Sequence, residues 1–382
     1  MKIWDAIVAG AGPAGCAAAY DLAIAGREVL LLDRAEFPRQ KACAGGLTLK
    51  AVKALRYSIE PVVRQQISYM RVERDTYRSI VLRRRFPYCV MTVRQELDDY
   101  CFRQTLAAGA KFQRIRGVTA ITEDSTGVTV AADGQALKAR FLIGADGVHS
   151  QVRQLTGGGT GWFWRAFALE ATVPVTNASG QELVFDFAPV RDGYGWIFPK
   201  GDHINIGLYS YANDEKIDRA RLAAYIRRRC GDASATSVIG QYAGFGAARH
   251  EIVATRIFLA GDAGGFVDPL TGEGIYFAIA SGQAAAAAVQ AGSDSAAAPV
   301  YLRFTQGTAK LRAELAISTS AARWFYGNLD QGCRLLSIPM LRAAALNAFA
   351  NGLGLARLAT HAKKLVRLTS PHENLTIERY AR

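Results

Sequence analysis

The stretch from Lys2 to Arg34 constrains this chain most. A short apolar strand through Ile3, Ala6, Ile7 and Val8 breaks into Gly10-Ala11-Gly12-Pro13-Ala14-Gly15. An alanine-rich helix follows from Ala14 to about Ala25, closed by Gly26, and a second strand, Glu28 to Leu32, ends in Asp33. Strand, G-x-G-x-x-G, helix, strand, acid is the order that a dinucleotide site requires. Gly10 allows the tight turn, Gly12 lets backbone approach a pyrophosphate, and Gly15 lets helix pack on strand. The helix start offers free N–H groups and a partial positive charge to that anion. Asp33, with Arg34 beside it, stands where an acid accepts from a ribose hydroxyl.

The 382 residues suffice for two or three domains and a large core. A hydrophobic content of 50% with 37 glycines fits a folded α/β protein and excludes a disordered one. The formal net charge of +13 suits an anionic partner. The basic residues concentrate at Arg64 to Arg94 and in the last forty residues or so. No nucleic-acid module accompanies them, so nucleic acid is not an expected partner. Cys16, Cys43, Cys89, Cys101, Cys230 and Cys333 form no C-x-x-C pair and no zinc spacing, so no metal is expected. No apolar run reaches the roughly 18 residues of a membrane span, and the start does not read as a secretory signal. The expectation is a cytoplasmic, reducing location, with peripheral membrane contact open.

After Asp33 comes Lys41-Ala42-Cys43-Ala44-Gly45-Gly46-Leu47. Two glycines beside a thiol fit backbone passing close to something flat; an ordinary loop with an inert cysteine fits equally. Ile67 to Thr92 alternates apolar and polar positions (Met70, Val72, then Ile80, Leu82) and predicts antiparallel strands. Val93 to Ala108 predicts a helix. Arg94 opens it, and a cation at a helix start opposes the helix dipole, which points to another partner such as a cofactor phosphate or ribose. Strands are predicted at Lys111 to Ile115, Val118 to Thr122, Val128 to Ala131 and Ala139 to Ile143, the last running into Gly144-Ala145-Asp146-Gly147.

A strand-rich block from Ala166 to Tyr209 carries Phe185, Tyr194, Trp196 and Phe198 among many aromatics. Aromatics at strand spacing are usually core, and so many also suit a large apolar pocket. At Ile257 to Ala260 a buried strand returns, followed by Gly261-Asp262-Ala263-Gly264-Gly265, then Pro269, Gly272, Glu273 and Gly274, then a helix from Ile275 to Val289. Glycines and a carboxylate between strand and helix again make a phosphate cradle. Beyond Pro299 the chain is expected to be helical: Val300 to Tyr326, Cys333 to Ala350 and Leu353 to Leu368. The last is amphipathic and basic, suited to an anionic bilayer or to packing on the protein body.

Three blocks, Gly10 to Gly15, Gly144 to Arg153 and Ile257 to Ala280, resemble the FAD signatures of the para-hydroxybenzoate hydroxylase-like flavoproteins. Two more are narrower. Lys41 to Leu47 resembles the cysteine-glycine loop of the geranylgeranyl reductases, and Tyr194-Gly195-Trp196-Ile197-Phe198-Pro199-Lys200-Gly201-Asp202-His203 resembles their Y-x-W-x-F-P substrate motif. The resemblance covers about residues 1 to 290. It implies an α/β and α+β chain: a Rossmann-like FAD-binding domain (1–66, 93–155, 250–292), an inserted antiparallel-sheet substrate domain (67–92, 156–249) and a C-terminal helical region (293–382).

The resemblance also assigns roles. Gly10, Gly12, Ala14, Gly15, Asp33 and Arg34 would lie along the adenosine and pyrophosphate half of FAD, with Asp146 and Gly147 near the pyrophosphate and Arg94 reaching in. Gly261 and Asp262 would meet the ribitol, and Gly272, Gly274 and Ile275 the isoalloxazine. Cys43, Gly45 and Gly46 would form the catalytic bend, and Tyr194, Trp196, Phe198, Pro199 and Gly207 would wall a lipid tunnel. The chain departs from the pattern at Tyr209, where a second glycine is expected, and at Ala42 and Ala44, where Pro and Gly are usual. The implied activity is reduction of carbon–carbon double bonds in an isoprenoid or prenylated lipid, with NAD(P)H or ferredoxin as electron donor. An FAD monooxygenase or halogenase is the alternative, although Trp162-Phe163-Trp164 is followed by Arg165, not by the halogenase W-x-W-x-I-P pattern. A non-catalytic lipid-binding protein that keeps FAD for structure is the third.

Overall fold

Ala6-Ile7-Val8-Ala9 and Leu30-Leu31-Leu32 carry no polar side chain, and all seven residues are buried. Parallel strands covered on both faces by helices demand this. The computed structural model describes residues 2–352, apart from 76–77, 84, 159–160, 176–181, 213, 250–254 and 293–296. In its first sheet, Ile3–Ala9 runs parallel to Val29–Asp33 on one side and to Gln135–Gly144 on the other. Lys111–Arg114 extends the first side in parallel. Ile257–Leu259 pairs in parallel with Gln135–Gly144, and Val128–Ala132 and Val118–Glu123 continue the sheet antiparallel. The helices Pro13–Ile24 and Ile275–Ala291 meet at bare backbone: a Cβ on Gly282 would stand 2.1 Å from the Ala14 carbonyl oxygen.

The second sheet has seven strands, in the order Ser237–Phe245, Trp164–Pro174, His203–Ser210, Gly193–Pro199, Leu183–Asp186, Tyr69–Asp75, Arg78–Arg83. Every pairing is antiparallel except that of Leu183–Asp186 with Tyr69–Asp75. Strand Gly193–Pro199 is buried at every position. It alternates in residue type but not in exposure, because both faces of the sheet are covered. A small third sheet joins Gly46–Thr48, Cys89–Met91 and Gln65–Ile67, so the glycine pair ends in a strand.

The helix predicted from Val93 is Arg94–Ala107, and the first C-terminal helix is Ala297–Gly327. It buries Val300, Phe304, Thr308, Leu311, Leu315, Ser318, Ala322 and Tyr326, one stripe at i+3 and i+4 steps. The single helix expected from Cys333 to Ala350 is in fact two, Leu329–Ser337 and Pro339–Asn351. Pro339 causes the break: Ile338 before it is extended (φ −74°, ψ 119°), as the residue before a proline prefers. The amphipathic stretch from Leu353 to Leu368 lies outside the described residues.

Candidate active site

A cavity of about 700 Å³ lies where the carboxyl ends of the parallel strands face the second sheet. At one end the wall is backbone. Gly10 has φ +103°, and a Cβ there would stand 2.3 Å from the Ala145 oxygen. A Cβ on Gly15 would stand 1.7 Å from the Gly10 oxygen, so Gly15 packs the turn and does not line the cavity. The helix Pro13–Ile24 starts without a side-chain cap and without an acid in its first turn, and so does Ile275–Ala291. Both starts line the same cavity, through Gly12, Pro13 and Ala14 and through Gly274 and Ile275. An uncapped helix start offers free N–H groups to an anion.

The cavity carboxylates near this end also brace the fold. Asp33 accepts from the Ala11 N–H at 2.6 Å and the Ala35 N–H at 2.8 Å, bracing the glycine turn. Asp146 accepts from the Ser150 hydroxyl at 2.5 Å and the Val152 N–H at 3.1 Å. Asp262 accepts from the Gly244 N–H at 3.3 Å, and burial raises its pKa against the pull of Lys41. Arg94 lines the cavity, but its guanidinium is held in two bonds by Asp98, at 2.8 and 3.0 Å. Asp98 and the Cys43 thiol beside it give this buried cation partners within the protein.

Sequence reasoning missed two cations. Arg39 lines the cavity, pairs with Asp98 at 3.0 Å, and keeps a buried Nε without a partner. Its Nη2 lies 3.5 Å from where a Gly12 Cβ would be, so the guanidinium overlooks the glycine turn. Lys41 also lines the cavity, with burial lowering its pKa. Their signal was present: both sit within a few residues of the cysteine bend. An orphaned guanidinium N–H, the open start of helix Pro13–Ile24 and a bare-glycine wall fit the pyrophosphate of a dinucleotide.

The bend occupies the middle of the cavity. Cys43, Gly45 and Gly46 all line it. Gly45 has φ +63°, and a Cβ would meet the Thr92 oxygen at 2.2 Å; on Gly46 it would meet Phe198 Cε2 at 2.8 Å. The Cys43 sulfur accepts from the Gly45 N–H at 3.4 Å. Two further residues missed from sequence hold the bend. The Cys43 N–H donates to Glu170 Oε1 at 2.9 Å, and Lys200 Nζ donates to the Ala44 oxygen at 2.5 Å. Both are buried. They were hidden because a lone acid or lysine on a strand reads as solvated until the sheet is covered.

The far end is aromatic. Phe185, Tyr194, Trp196, Phe198 and Tyr209 line it, joined by Phe349 from helix Pro339–Asn351. Pro199 and Gly207 do not line the cavity. Gly207 instead clears space for the Trp196 indole, whose Cζ2 lies 2.3 Å from where a Cβ would stand. The Trp196 Nε1–H donates to Asn205 Oδ1 at 2.7 Å. Tyr209 donates to the Pro269 oxygen at 3.1 Å, Tyr326 to Leu270 at 2.7 Å, and Tyr194 to Thr271. Three tyrosines from three elements thus hold three consecutive carbonyls of the loop leading to Gly272 and Gly274, which also line the cavity together with Arg34, Gly261 and Gly147.

Comparison with known proteins places the chain in a family. A family described as an FAD binding domain matches residues 4–297. The chain is 32% identical over 317 residues to a menaquinone reductase of Mycolicibacterium smegmatis, covering 75% of this chain and 76% of that one. It is 30% identical over 301 residues to a geranylgeranyl diphosphate reductase of Rhodobacter capsulatus, covering 75% of each. In fold it matches a geranylgeranyl bacteriochlorophyll reductase-like protein of Thermoplasma acidophilum, with TM-score 0.78, 18% identity, and coverage of 96% of this chain and 100% of that one. A flavin-dependent brominase gives the same TM-score at 17% identity over 96% of this chain and 100% of its own, so fold alone does not separate the two chemistries. With the family match spanning most of its length and these relatives at 30–32% identity, the chain belongs to the FAD-binding flavoproteins that include the geranylgeranyl and menaquinone reductases.

Proposed function

We propose that the protein is an FAD-dependent reductase that saturates carbon–carbon double bonds of a geranylgeranyl or related isoprenoid chain. The observation that carries this reading is the continuity of one cavity from the glycine cradle, past the Cys43–Gly46 bend, to the aromatic sheet face. Reduced FAD, when bound, supplies a hydride. Gly10, Gly12, Ala14 and Arg39 would hold the pyrophosphate half, and Gly261, Asp262, Gly272, Gly274 and Ile275 the other half.

The residues of this chain then have three tasks. Gly45 and Gly46 keep the bend thin, so that a flat ring and an extended chain approach closely. Tyr194, Trp196, Phe198 and Phe185 give the chain an apolar wall that excludes water. Fixing an alkene in line with a donor contributes several kcal/mol by orientation alone. NAD(P)H docking transiently, or a ferredoxin, is the proposed source of electrons. A prenyl lipid partitions into bilayers, and this favours peripheral membrane contact. Among the described residues no helix is long and apolar enough to cross a membrane, while Ile338 and Met340 are exposed at the start of the helix that brings Phe349 to the cavity.

The test is mass spectrometry of lipid co-purifying with the yellow protein, paired with anaerobic turnover. Saturated and partly saturated prenyl chains are expected, formed without oxygen. Product that forms only with oxygen would support a monooxygenase or halogenase instead.

A further inference from the structure

The cavity is lined by five carboxylates: Asp33, Asp146, Glu170, Asp262 and Glu273. Four stand outside the aromatic sheet, on the dinucleotide-binding side. Asp33 and Asp146 each spend both oxygens on backbone or hydroxyl donors. Asp262 sits in the glycine turn, bonded to Gly244. Glu273 is paired with Lys50 at 2.7 Å and accepts from the Thr48 hydroxyl. Among the described residues, Glu170 is the one acid that the aromatic sheet contributes to the cavity wall.

Register places it. Glu170 lies opposite Ile239 on one neighbouring strand and Gly207 on the other, and Gly207 lies opposite Trp196. The indole leans over Gly207, into the gap between Trp196 and Glu170. Glu170 Oε1 accepts the Cys43 N–H, which fixes the carboxyl beside the bend. The tyrosine hydroxyls that face the same end, Tyr194 and Tyr209, already give their hydrogens to loop carbonyls.

We propose that Glu170 is the acid that delivers the proton when the double bond is reduced. This rests on the reductase reading above. In the step, the Glu170 O–H bond breaks and a C–H bond forms at one alkene carbon. Reduced flavin, when bound, would supply the hydride for the other carbon, and the carboxylate would regain its proton from solvent. Burial raises the Glu170 pKa; hydrogen bonds from the Cys43 N–H and the Asn205 side chain, with Lys200 and Arg94 nearby, offset part of that rise, and the net upward direction favours the protonated form that the step needs. The titratable and charged groups around it are the Cys43 thiol on the bend, Arg94 at the start of its helix, and Lys200 just beyond strand Gly193–Pro199. A general acid of this kind is worth roughly 100-fold or more in rate.

The experiment compares full-length, FAD-loaded wild type with Glu170→Gln and Glu170→Asp. Gln keeps an oxygen for the Cys43 N–H but carries no acidic proton. Infrared spectra at neutral pH, without substrate, should show a neutral carboxyl band in the wild type that shifts in D2O. It should be absent in Glu170→Gln and displaced in Glu170→Asp. Anaerobic single turnovers should slow by roughly 100-fold or more in Glu170→Gln with flavin content unchanged, and recover in part in Glu170→Asp. The wild-type rate should fall as pH rises through the Glu170 titration. Should Gln prevent FAD loading, the wild-type and Asp spectra and rates still decide. A wild type with no such band, or a Glu170→Gln rate within a few-fold of wild type, overturns the assignment and leaves the reductase reading intact. A wild type that saturates no prenyl substrate overturns both.

Discussion

The Lys200 ammonium donates to the Ala44 carbonyl at 2.5 Å, across 156 residues of sequence. It joins the end of the aromatic motif to the middle of the cysteine bend, so the two selective sequence blocks are one structural unit. The contact comes with a cost, because Lys200 is 3% exposed and burial lowers its pKa to about 8. An unfolded lysine still holds its proton well above that pH. The folded state therefore binds fewer protons than the unfolded state from about pH 8 to pH 10, and stability rises with pH across that window. The melting temperature of the wild type should rise relative to Lys200→Met between about pH 7 and pH 10. A constant difference would show that Lys200 does not titrate there.

Gly45→Ala should destabilise the bend. The αL backbone alone costs about 1–3 kcal/mol for a side chain, and the added methyl would stand 2.2 Å from the Thr92 oxygen. A lower melting temperature and loss of turnover are expected. An alanine variant with unchanged stability would mean that the bend is looser than described.

Gly207→Ala should act at a distance from the flavin. Its methyl would displace the Trp196 indole, which lines the aromatic end. FAD stoichiometry should stay at the wild-type value while KM for the prenyl substrate rises severalfold. Loss of FAD with KM unchanged would contradict the placement.

Tyr209→Phe removes the hydroxyl from the Pro269 carbonyl. A buried hydrogen bond of this kind contributes about 1 kcal/mol, and more when its acceptor is left unpartnered. Stability should fall by about 1–2 kcal/mol, and the visible spectrum of the bound flavin should shift, because the freed loop carries Gly272 and Gly274. Chemical denaturation and absorbance check both. An unchanged spectrum would mean that the tyrosines only pack.

The cofactor half was legible in sequence because its signals are local. Gly10 to Gly15 and Asp33 lie within one strand-turn-helix-strand unit, and close approach allows only glycine at Gly10 and Gly15. The aromatic wall was legible as a strand, since Tyr194, Trp196 and Phe198 repeat at every second residue. Glu170 and Lys200 were not, because their roles depend on a sheet buried on both faces and on a bend more than a hundred residues away. Arg94 lines the cavity as the sequence suggests, but its hold by Asp98, one turn later, is visible only in the fold. The break at Pro339 was in plain sight as a proline within a periodic pattern.

The most direct measurement is anaerobic mixing of photoreduced, FAD-loaded protein with a geranylgeranyl substrate, following flavin absorbance and product mass together. The account predicts that the yellow colour returns without oxygen and that each turnover adds two mass units to the prenyl chain. A flavin that stays bleached until air is admitted, with the chain unchanged in mass, would contradict it.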